Sequence, residues 1–576
     1  MKKLLSFLWI FLFLLPQAFA QEVQLKLLMT SDVHANYFPY NFITQKDWEG
    51  SLARVHTYVE QQRKDLGDGV ILLDNGDILQ GQPTAYYSNF IDTVSPHICA
   101  SVMNYMGYDI GNVGNHDVET GRSVMDRWIS DCNFPVLGAN IMEAETHVSH
   151  LRPYEIVYRE GIKIAILGMI TPAIPVWLPE NLWKGLYFDD MEETAKKWMK
   201  IIEEEEQPDV IVGIFHSGKN PRQMGEYLDN ASLLVAQNVP GFDVVMFGHD
   251  HARACHKVEN IAGDSVLVIN PANNAFYVAD IDIALTFDQE SLINKEVKGK
   301  LVDVRKTEVS SDFMKHFAKE FETIKSFVSS KIGEFAKTIS TRDAYFGPSA
   351  FVDLIHSLQL DISKADISFV APLSYDASIS AGDVYVSDMF NLYKYENMLY
   401  VMELTGQEIK DFLEMSYAQW INKMQGPDDH LLLLKEKRTG KDERTVFQYF
   451  SYNFDSAAGI IYEVDVTQEQ GNLIHIISMA DGTPFDTKKV YKVALNSYRG
   501  NGGGELLTKG AGIPHDELTS RIIYATDKDL RYYLMESIKE KGFIDSQPLN
   551  QWKFVPQEWT VPAAQRDYQL LFGHKK

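Results

Sequence analysis

Short apolar segments in the first half of the chain repeatedly end in polar clusters. Each segment has the length and composition of a buried β-strand, and each is followed by Asp, Asn or His residues. Because ligands of layered α/β proteins gather at the carboxyl ends of strands, we expect the five strand ends to converge on one site. The strands and their clusters are Val23–Met29 before Ser31–His34, Gly69–Leu73 before Asp74–Asp77, Tyr108–Val113 before Gly114–Asp117, Asp209–Phe215 before His216–Gly218, and Phe242–Phe247 before Gly248–His251.

Helical periodicity occupies the stretches between these strands. Ser51–Lys64 and Glu192–Glu206 are examples, and their alternation with strands predicts α/β layers. The pattern changes at Ser310–Lys331, where charged residues and regularly spaced phenylalanines predict one amphipathic helix that connects two domains. We expect the phenylalanine stripe to be a packing face.

The second half of the chain mixes predicted helices and strands and contains no internal repeat. It ends in a Trp- and Pro-containing tail to which the sequence assigns nothing beyond packing. The predicted helices are Ser349–Leu360, Gly406–Ser416 and Arg521–Lys541, and the predicted strands are Asp366–Val370, Leu399–Leu404 and Tyr491–Leu495.

The first twenty residues have the pattern of a secretory signal peptide. Lys2 and Lys3 precede the apolar run Leu4–Leu15, and Ala18-Phe19-Ala20 forms a small-residue cleavage site. An uncleaved anchor is the alternative. After cleavage we expect a periplasmic or secreted protein with no membrane span, since no later segment is long and apolar enough.

A chain of 576 residues is too long for one hydrophobic core, so we expect two large domains. We predict a signal peptide at 1–20, a first domain at 21–309, a linker helix at 310–334, a second domain at 335–560 and a tail at 561–576.

The charge balance limits the partners. Hydrophobic residues make up 45% and charged residues 23% of the chain, which is typical of a globular protein, and the formal net charge is −25. This charge disfavours binding to long nucleic acid. A small anionic substrate remains compatible if bound divalent cations dominate the local field. We expect a monomer.

The polar clusters offer a set of oxygen and imidazole donors without thiolates, which suits Zn, Mn, Fe or Mg. Seven donors exceed what one tetrahedral ion takes, so we expect two divalent ions with one bridging carboxylate. Two such ions can clamp a phosphoryl oxygen and stabilise both the attacking and the leaving oxygens, which is phosphoester chemistry. The two predicted sets are Asp32, His34, Asp77 and His251, and Asp77, Asn115, His216 and His249.

The order and spacing of these motifs resemble the motif series of calcineurin-like metallophosphatases. The longer stretches Leu73–Gly81 and Asn496–Gly503 resemble the 5′-nucleotidase superfamily, and the likeness covers nearly the whole chain after residue 20. The resemblance implies an α/β four-layered (αββα) metallophosphatase domain. A smaller α+β C-terminal domain that determines substrate specificity would follow it.

His116 is the candidate for the group that meets the leaving oxygen, because it adjoins Asn115 without being needed as a ligand. In the nucleotidases that this chain resembles, an Asp three residues later pairs with this His. Here that position holds Glu119, while Asp117 follows His116 directly. Both acids therefore remain candidates for the orienting partner.

The resemblance also implies a nucleotide site in the second half. Tyr395 and Tyr498 would hold the base between two rings, which tolerates any base. Asn496, Arg499 and Gly503 would lie beside the base or the phosphate.

One departure bears on the substrate. The Arg of the Gly-Gly-x-Arg motif of 5′-nucleotidases is missing from the matching stretch Ala371–Asp376. Three other stretches resemble the 2′,3′-cyclic-nucleotide 2′-phosphodiesterase/3′-nucleotidase branch: Leu392–Asn397, Tyr462–Gln468 and Asn496–Arg499. We therefore expect a hydrolase of 2′,3′-cyclic nucleotides and 3′-nucleotides that yields nucleoside and phosphate. The alternatives are a 5′-nucleotidase acting on 5′-mononucleotides or UDP-sugars, and a non-catalytic nucleotide-binding protein.

Overall fold

The computed structural model describes residues 21–289, 291–439 and 442–573. The predicted signal peptide at 1–20 lies outside the described residues. Within the described ranges, no helix combines the length and the apolar character that a membrane crossing requires.

Two six-stranded β-sheets pack face to face in the first half of the chain. The central strand Gln21–Thr30 of the first sheet lies parallel to Val70–Asp74, and Val210–His216 of the second sheet lies parallel to Val244–Phe247. In spatial order the first sheet contains Ser291–Asp303, Tyr277–Asp288, Gln21–Thr30, Val70–Asp74, Ile110–Asn112 and Val136–Leu137, and the second contains Ala254–Glu259, Ser265–Asn270, Val244–Phe247, Val210–His216, Ile162–Ile170 and Tyr154–Arg159.

The central strands of both sheets are buried on both faces. In the first strand Leu27 and Met29 lie in the core between the sheets, whereas Leu28 packs against the outer helices. This double burial explains why the strands appear in the sequence as continuous apolar runs rather than as alternating patterns. The helices Leu52–Leu66, Ile98–Met106 and Arg122–Asp131 accompany the first sheet and Met191–Ile201 and Ser232–Asn238 the second, which confirms the predicted αββα layers.

The connection after the second layer differs from the prediction of one helix over Ser310–Lys331. The structure has two helices, Ser311–His316 and Ala318–Val328, and Lys331 already begins the strand Lys331–Phe335. The break falls at Phe317, whose ring packs against Phe38 and Tyr105 with centroid distances of 6.5 and 5.3 Å. Helical spacing continues on both sides of the break, so periodicity alone did not reveal it.

The second half is built around a five-stranded sheet flanked by helices. Two three-stranded sheets, a two-stranded sheet of Ile339–Ser340 and Ser378–Ile379, and a hairpin accompany it, which agrees with the predicted α+β class. The central sheet contains, in spatial order, Ser456–Ala458, Ile367–Val370, Val490–Asn496, Met398–Thr405 and Ile522–Asp529. One three-stranded sheet contains Gly382–Tyr385, Lys331–Phe335 and Phe543–Ile544, the other contains Ile474–Met479, Ile460–Asp465 and Trp552–Val555, and the hairpin pairs Leu434–Thr439 with Asp442–Phe447. The main helices are Ala350–Ser363, Val386–Leu392, Gly406–Trp420, Leu530–Lys541 and Gln557–Phe572.

The prediction of one helix over Arg521–Lys541 is wrong in its first third. Ile522–Asp529 is a strand that pairs antiparallel with Met398–Thr405, and only Leu530–Lys541 is helical. β-Branched residues favour the strand, and the sheet edge supplies its partner. Asp529 ends the strand and caps the helix by accepting a hydrogen bond from the Tyr532 backbone N–H at 2.7 Å.

The last helix, Gln557–Phe572, crosses the boundary that the sequence placed between residues 560 and 561. Its Asp567 is fully buried and accepts hydrogen bonds from the backbone N–H groups of Leu431 and Leu432 at 2.8 and 3.0 Å. The tail is thus joined to the second half of the molecule. The division at residues 309 and 334 stays a prediction.

Candidate metal centre and active site

Five turns bring the predicted ligand residues together at one end of the two sheets. Three turns follow strands of the first sheet and two follow strands of the second. Backbone hydrogen bonds join neighbouring turns: the Asp32 N–H donates to the Gly76 carbonyl and the His34 N–H to the Asp77 carbonyl, both at 3.0 Å. Strand ends that lie far apart in the sequence therefore share one site.

One group of donors consists of Asp32, His34 and His251. His34 Nε2 lies 3.0 Å from His251 Nε2, and His251 Nε2 lies 3.3 Å from Asp32 Oδ1. All three ligand atoms lie within 4.8 Å of one another, which is compatible with a single ion.

A second group consists of Asp77, His216 and His249, with Asn115 beside it. His216 Nε2 lies 3.1 Å from Asp77 Oδ2 and 3.2 Å from Asn115 Oδ1. His249 Nδ1 lies 2.8 Å from the same Asn115 oxygen. Asp32 Oδ1 is 4.0 Å from His216 Nε2, so the two groups adjoin and together contain all seven predicted donors.

Most of these residues adopt a backbone conformation that side chains other than glycine rarely take. Such residues cost about 1–3 kcal/mol each and cluster at functional sites. Five of the seven have positive φ angles: Asp32 (51°), His34 (49°), Asp77 (56°), His249 (72°) and His251 (54°). This left-handed backbone conformation directs all five side chains toward the same site.

Two glycines permit the close approach of these turns. A Cβ atom on Gly114 would overlap the Asp77 carboxylate, and one on Gly248 would overlap Ser31 and Asp32. The glycines in the sequence motifs are therefore required by packing around the donor set.

Groups behind the ligands fix two histidine orientations. His216 Nδ1 donates to the Asn75 carbonyl at 2.7 Å, which leaves Nε2 for an ion. His249 Nε2 lies 3.3 Å from Asp229 Oδ1, which leaves Nδ1. Sequence reasoning missed Asp229, because it lies in a hairpin outside the strand-end clusters, and it missed the backbone role of Asn75.

Electrostatics suit bound cations. Burial raises the pKa of Asp77, but the charges of His216 and His116 outweigh it and hold that pKa well below its usual range. Burial lowers the pKa of His34 to about 4, which keeps its ring neutral. Ionised Asp77 and neutral His34 are in the forms that coordinate metals. Burial lowers the pKa of His216, but the charges of Asp77 and Asp32 raise it to about 10, so His216 would release a proton when an ion binds at Nε2. The donor types of these residues fit divalent ions.

His116 and Glu119 form a pair on the helix Asn115–Glu119. His116 Nδ1 is hydrogen-bonded to Glu119 Oε2, and the His116 backbone N–H donates to Asp77 Oδ1 at 2.8 Å. Burial lowers the pKa of His116, but the charges of Asp77 and Glu119 and the Glu119 hydrogen bond raise it to about 10. While the charges of Asp77 and Glu119 are uncompensated, His116 is protonated near neutral pH, and with Nδ1 bound to Glu119 it can donate a proton through Nε2.

Asp117 has a different position. Its buried carboxylate accepts hydrogen bonds at 2.8–2.9 Å from the backbone N–H groups of Gly114, Asp77, Ile78 and Leu79. Of the two acids that the sequence left open, Glu119 contacts His116, while Asp117 ties the Asp77 turn to the Asn115 helix.

A cavity of about 260 Å³ joins the metal side to the second half of the molecule. Asn115, His116, Glu119 and His249 form part of its wall. The residues that complete the lining are Trp177, Leu178, Pro179, Leu182, Leu373, Tyr395, Glu396, Asn397, Tyr452, Ser497 and Tyr498.

Both tyrosines predicted to hold a base line this cavity. Tyr452, which the sequence analysis missed, contacts Tyr498 edge-to-face at a centroid distance of 6.3 Å. Gly503 packs directly under the Tyr498 ring, where a Cβ atom would lie 2.5 Å from a ring carbon. Gly503 thus acts on the site through the position of Tyr498.

Arg499 and Asn496 do not line the cavity. Arg499 is 1% exposed, and its Nη2 donates to Asp455 Oδ2 at 2.6 Å and to the Tyr452 carbonyl at 2.9 Å. Asn496 caps the short helix Ser497–Gly500 through its side-chain oxygen. The expectation that these two residues lie beside substrate is corrected: Arg499 Nη2 and the Asn496 side-chain oxygen hold neighbouring segments of the protein together.

Two family models match the chain. Residues 25–253 match calcineurin-like phosphoesterase, and residues 330–509 match the C-terminal domain of 5′-nucleotidase. Together with the donor set, these matches define a metal-dependent phosphoester hydrolase. The chain belongs to the metallophosphoesterases that combine a calcineurin-like domain with a 5′-nucleotidase C-terminal domain.

Named relatives are similar to this chain over most of its length. The trifunctional nucleotide phosphoesterase protein YfkN of Bacillus subtilis is 27% identical over 94% of this chain, although the match spans only 39% of that protein. A 2′,3′-cyclic-nucleotide 2′-phosphodiesterase/3′-nucleotidase of Yersinia enterocolitica is 26% identical over 93% of this chain and 89% of its own length. Among solved structures, a 5′-nucleotidase precursor from Thermus thermophilus has the same fold, with a TM-score of 0.60, 19% identity, and coverage of 93% of this chain and 100% of that one.

Proposed function

We propose that this protein is a secreted, two-metal nucleotide phosphoesterase that hydrolyses 2′,3′-cyclic nucleotides and 3′-nucleotides to nucleoside and phosphate. The observation that carries the proposal is the shared cavity: candidate metal ligands Asn115 and His249 line one side, and Tyr395 and Tyr498 line the other. A phosphate at the first side and a base at the second would belong to one small molecule.

The chemistry would be divided between the ions and the chain. Two divalent ions held by the seven donors would supply a nucleophile at neutral pH and neutralise charge on the phosphoryl oxygens. His116 lies on the cavity wall and donates its proton to the departing ribose oxygen. Glu119 keeps the His116 ring oriented through Nδ1.

The cavity wall also positions the nucleotide and excludes water. The Tyr395 and Tyr498 rings offer stacking surfaces, which are worth about 1–3 kcal/mol per base. Trp177 packs against His249 with ring centroids 5.5 Å apart and extends the apolar side toward Leu178 and Leu182. A dry site strengthens the interactions of His116 with developing negative charge.

The lining also favours a substrate whose only phosphate lies at the ions. Leu373 lines the cavity in the segment where 5′-nucleotidases carry their additional Arg, and none of the described lining residues is Lys or Arg. The branch preference rests on this departure and on the resemblance of Leu392–Asn397 to the cyclic phosphodiesterases.

The test is phosphate release by metal-stripped protein reconstituted with Mn or Zn, compared across 2′,3′-cyclic AMP, 3′-AMP and 5′-AMP. A coupled phosphatase or product separation detects opening of the cyclic ester. We expect metal-dependent turnover with the cyclic and 3′ substrates preferred. Preference for 5′-AMP would make the protein a 5′-nucleotidase, and no turnover of any would favour the non-catalytic nucleotide-binding protein.

Export and oligomeric state need separate measurements. N-terminal sequencing of the protein from its native host should begin at Gln21, and light scattering should give the mass of one chain. A mature protein that begins at Met1 would contradict signal-peptide cleavage, and a mass larger than that of one chain would contradict the monomer.

A further inference from the structure

Glu396 is a buried acid that the proposed mechanism does not use. It follows Tyr395 directly, is 6% exposed and lines the cavity together with Glu119. Its Oε2 has no hydrogen-bond partner among the described residues. A carboxyl group in this position is costly to bury unless a ligand completes its hydrogen bonding.

The nearest cation does not satisfy it. Arg531 Nη1 lies 3.5 Å from Glu396 Oε1 and 3.9 Å from Asp529 Oδ2, so one guanidinium faces two buried acids. The other nitrogens of Arg531 donate to the carbonyls of Tyr393 and Lys394 at 3.0 and 2.8 Å. Nη1 itself makes no hydrogen bond within the described residues, so Arg531 meets Glu396 Oε1 only through a long ion pair and leaves Oε2 unused.

The protonation state of Glu396 suits a neutral ligand. Burial raises the pKa of Glu396 to about 8, with Arg531 opposing the rise and Glu119 adding to it. Near pH 7 the carboxyl group is then mostly protonated and offers one donor and one acceptor. A hydroxyl group offers the same pair and is its natural complement.

We propose that Glu396 forms a ribose subsite and binds a free sugar hydroxyl of the nucleotide. The inference rests on the proposed function, because a sugar must lie between a base at Tyr395 and a phosphate near His116. Glu396 lines the cavity that contains both of these walls. A 3′-nucleotide has free hydroxyls at the 2′ and 5′ positions, and either fits the chemistry of the subsite.

The test compares the Glu396→Gln and Glu396→Met variants with the wild type. Substrates are 3′-AMP, its 2′-deoxy and 5′-deoxy analogues, and 4-nitrophenyl phosphate, which has no sugar. We expect Met to raise KM for 3′-AMP about tenfold with kcat within threefold, because it cannot hydrogen-bond. Gln, which imitates the protonated carboxyl, should stay within threefold of the wild type. Neither variant should affect 4-nitrophenyl phosphate.

The deoxy analogues identify the hydroxyl. The analogue that lacks the bound hydroxyl should have a raised KM with the wild type and show no further rise with Glu396→Met. An unchanged KM for 3′-AMP in that variant, or a full effect of the substitution on both analogues, would overturn the subsite. If Met prevents folding, the wild type alone decides, because a KM that is equal for 3′-AMP and both analogues would also overturn the subsite.

Failure of the proposed function produces a different pattern. An enzyme that turns over 5′-AMP and not 3′-AMP contradicts the proposed substrate preference, and Glu396 is then judged with 5′-AMP and its 2′-deoxy and 3′-deoxy analogues. A rise in KM that one analogue abolishes would support the subsite even there. Absence of any such rise would refute it.

Discussion

The two walls of the cavity are built in different ways. On the metal side, each donor residue lies at or just beyond the carboxyl end of a buried strand, and hydrogen bonds between neighbouring strand ends fix its place. On the base side, Tyr395, Tyr452 and Tyr498 come from three separate short segments between the main strands and helices of the second half. Strand ends have a strong local signature, whereas a wall of loop residues is defined mainly by the tertiary fold. We infer that the metal side determines whether a phosphoester is hydrolysed and that the base side determines which substrate is bound.

Removing the ions should have the largest effect and should act on every substrate. Asp77→Ala, or treatment with a chelator, is expected to lower kcat/KM for 3′-AMP and for 4-nitrophenyl phosphate about 10³-fold or more, because the ions supply several kcal/mol of transition-state stabilisation. Metal content by mass spectrometry checks the cause. Asp282→Asn, at a partly exposed carboxylate of the same domain, is the matched control. Full activity after complete chelation would contradict the metal mechanism.

His116→Gln should rank second, with kcat for 3′-AMP reduced about 10²–10⁴-fold and metal content unchanged. The loss should be smaller for 4-nitrophenyl phosphate, whose leaving group needs no proton. His256→Gln, on an exposed strand, is the control. Equal losses on both substrates would assign His116 to phosphate binding rather than to proton donation.

Replacing both Tyr395 and Tyr498 with Ala should separate the two walls. Loss of stacking is expected to lower kcat/KM for nucleotides about 10–100-fold, while turnover of 4-nitrophenyl phosphate stays within threefold. Tyr158→Ala, at a position that is 62% exposed, is the control. Unchanged nucleotide turnover in the double variant would contradict stacking of the base between Tyr395 and Tyr498.

Arg499→Met should have the smallest effect on turnover and a large one on stability. It leaves the Asp455 carboxylate buried without its partner, which costs about 3–5 kcal/mol, so Tm should fall. Below that Tm, KM for nucleotides should stay within threefold. The double variant Arg499→Met/Asp455→Leu should recover much of the lost stability. A raised KM at unchanged Tm would instead place Arg499 at the substrate.

The sequence predicted the metal side better than the base side for physical reasons. Apolar strands followed by Asp, Asn or His are local patterns, and the structure brings all seven such donors together. Local patterns could not show that Arg499 forms a buried ion pair with Asp455, or that Glu119 rather than Asp117 contacts His116. The apolar wall around Trp177 and Leu182 lacked any periodic signal. The fold errors at Phe317 and Ile522–Asp529 arose where tertiary packing or a sheet edge overrode helical spacing.

The most direct test is a crystal structure of the Mn-reconstituted His116→Gln variant with 3′-AMP. We expect two anomalous scattering peaks, one among Asp32, His34 and His251 and one among Asn115, His216 and His249, with Asp77 between them. We also expect phosphate at the ions and adenine between Tyr395 and Tyr498. A single peak elsewhere, or a nucleotide bound away from either wall, would contradict the claim that one cavity joins metal centre and base clamp.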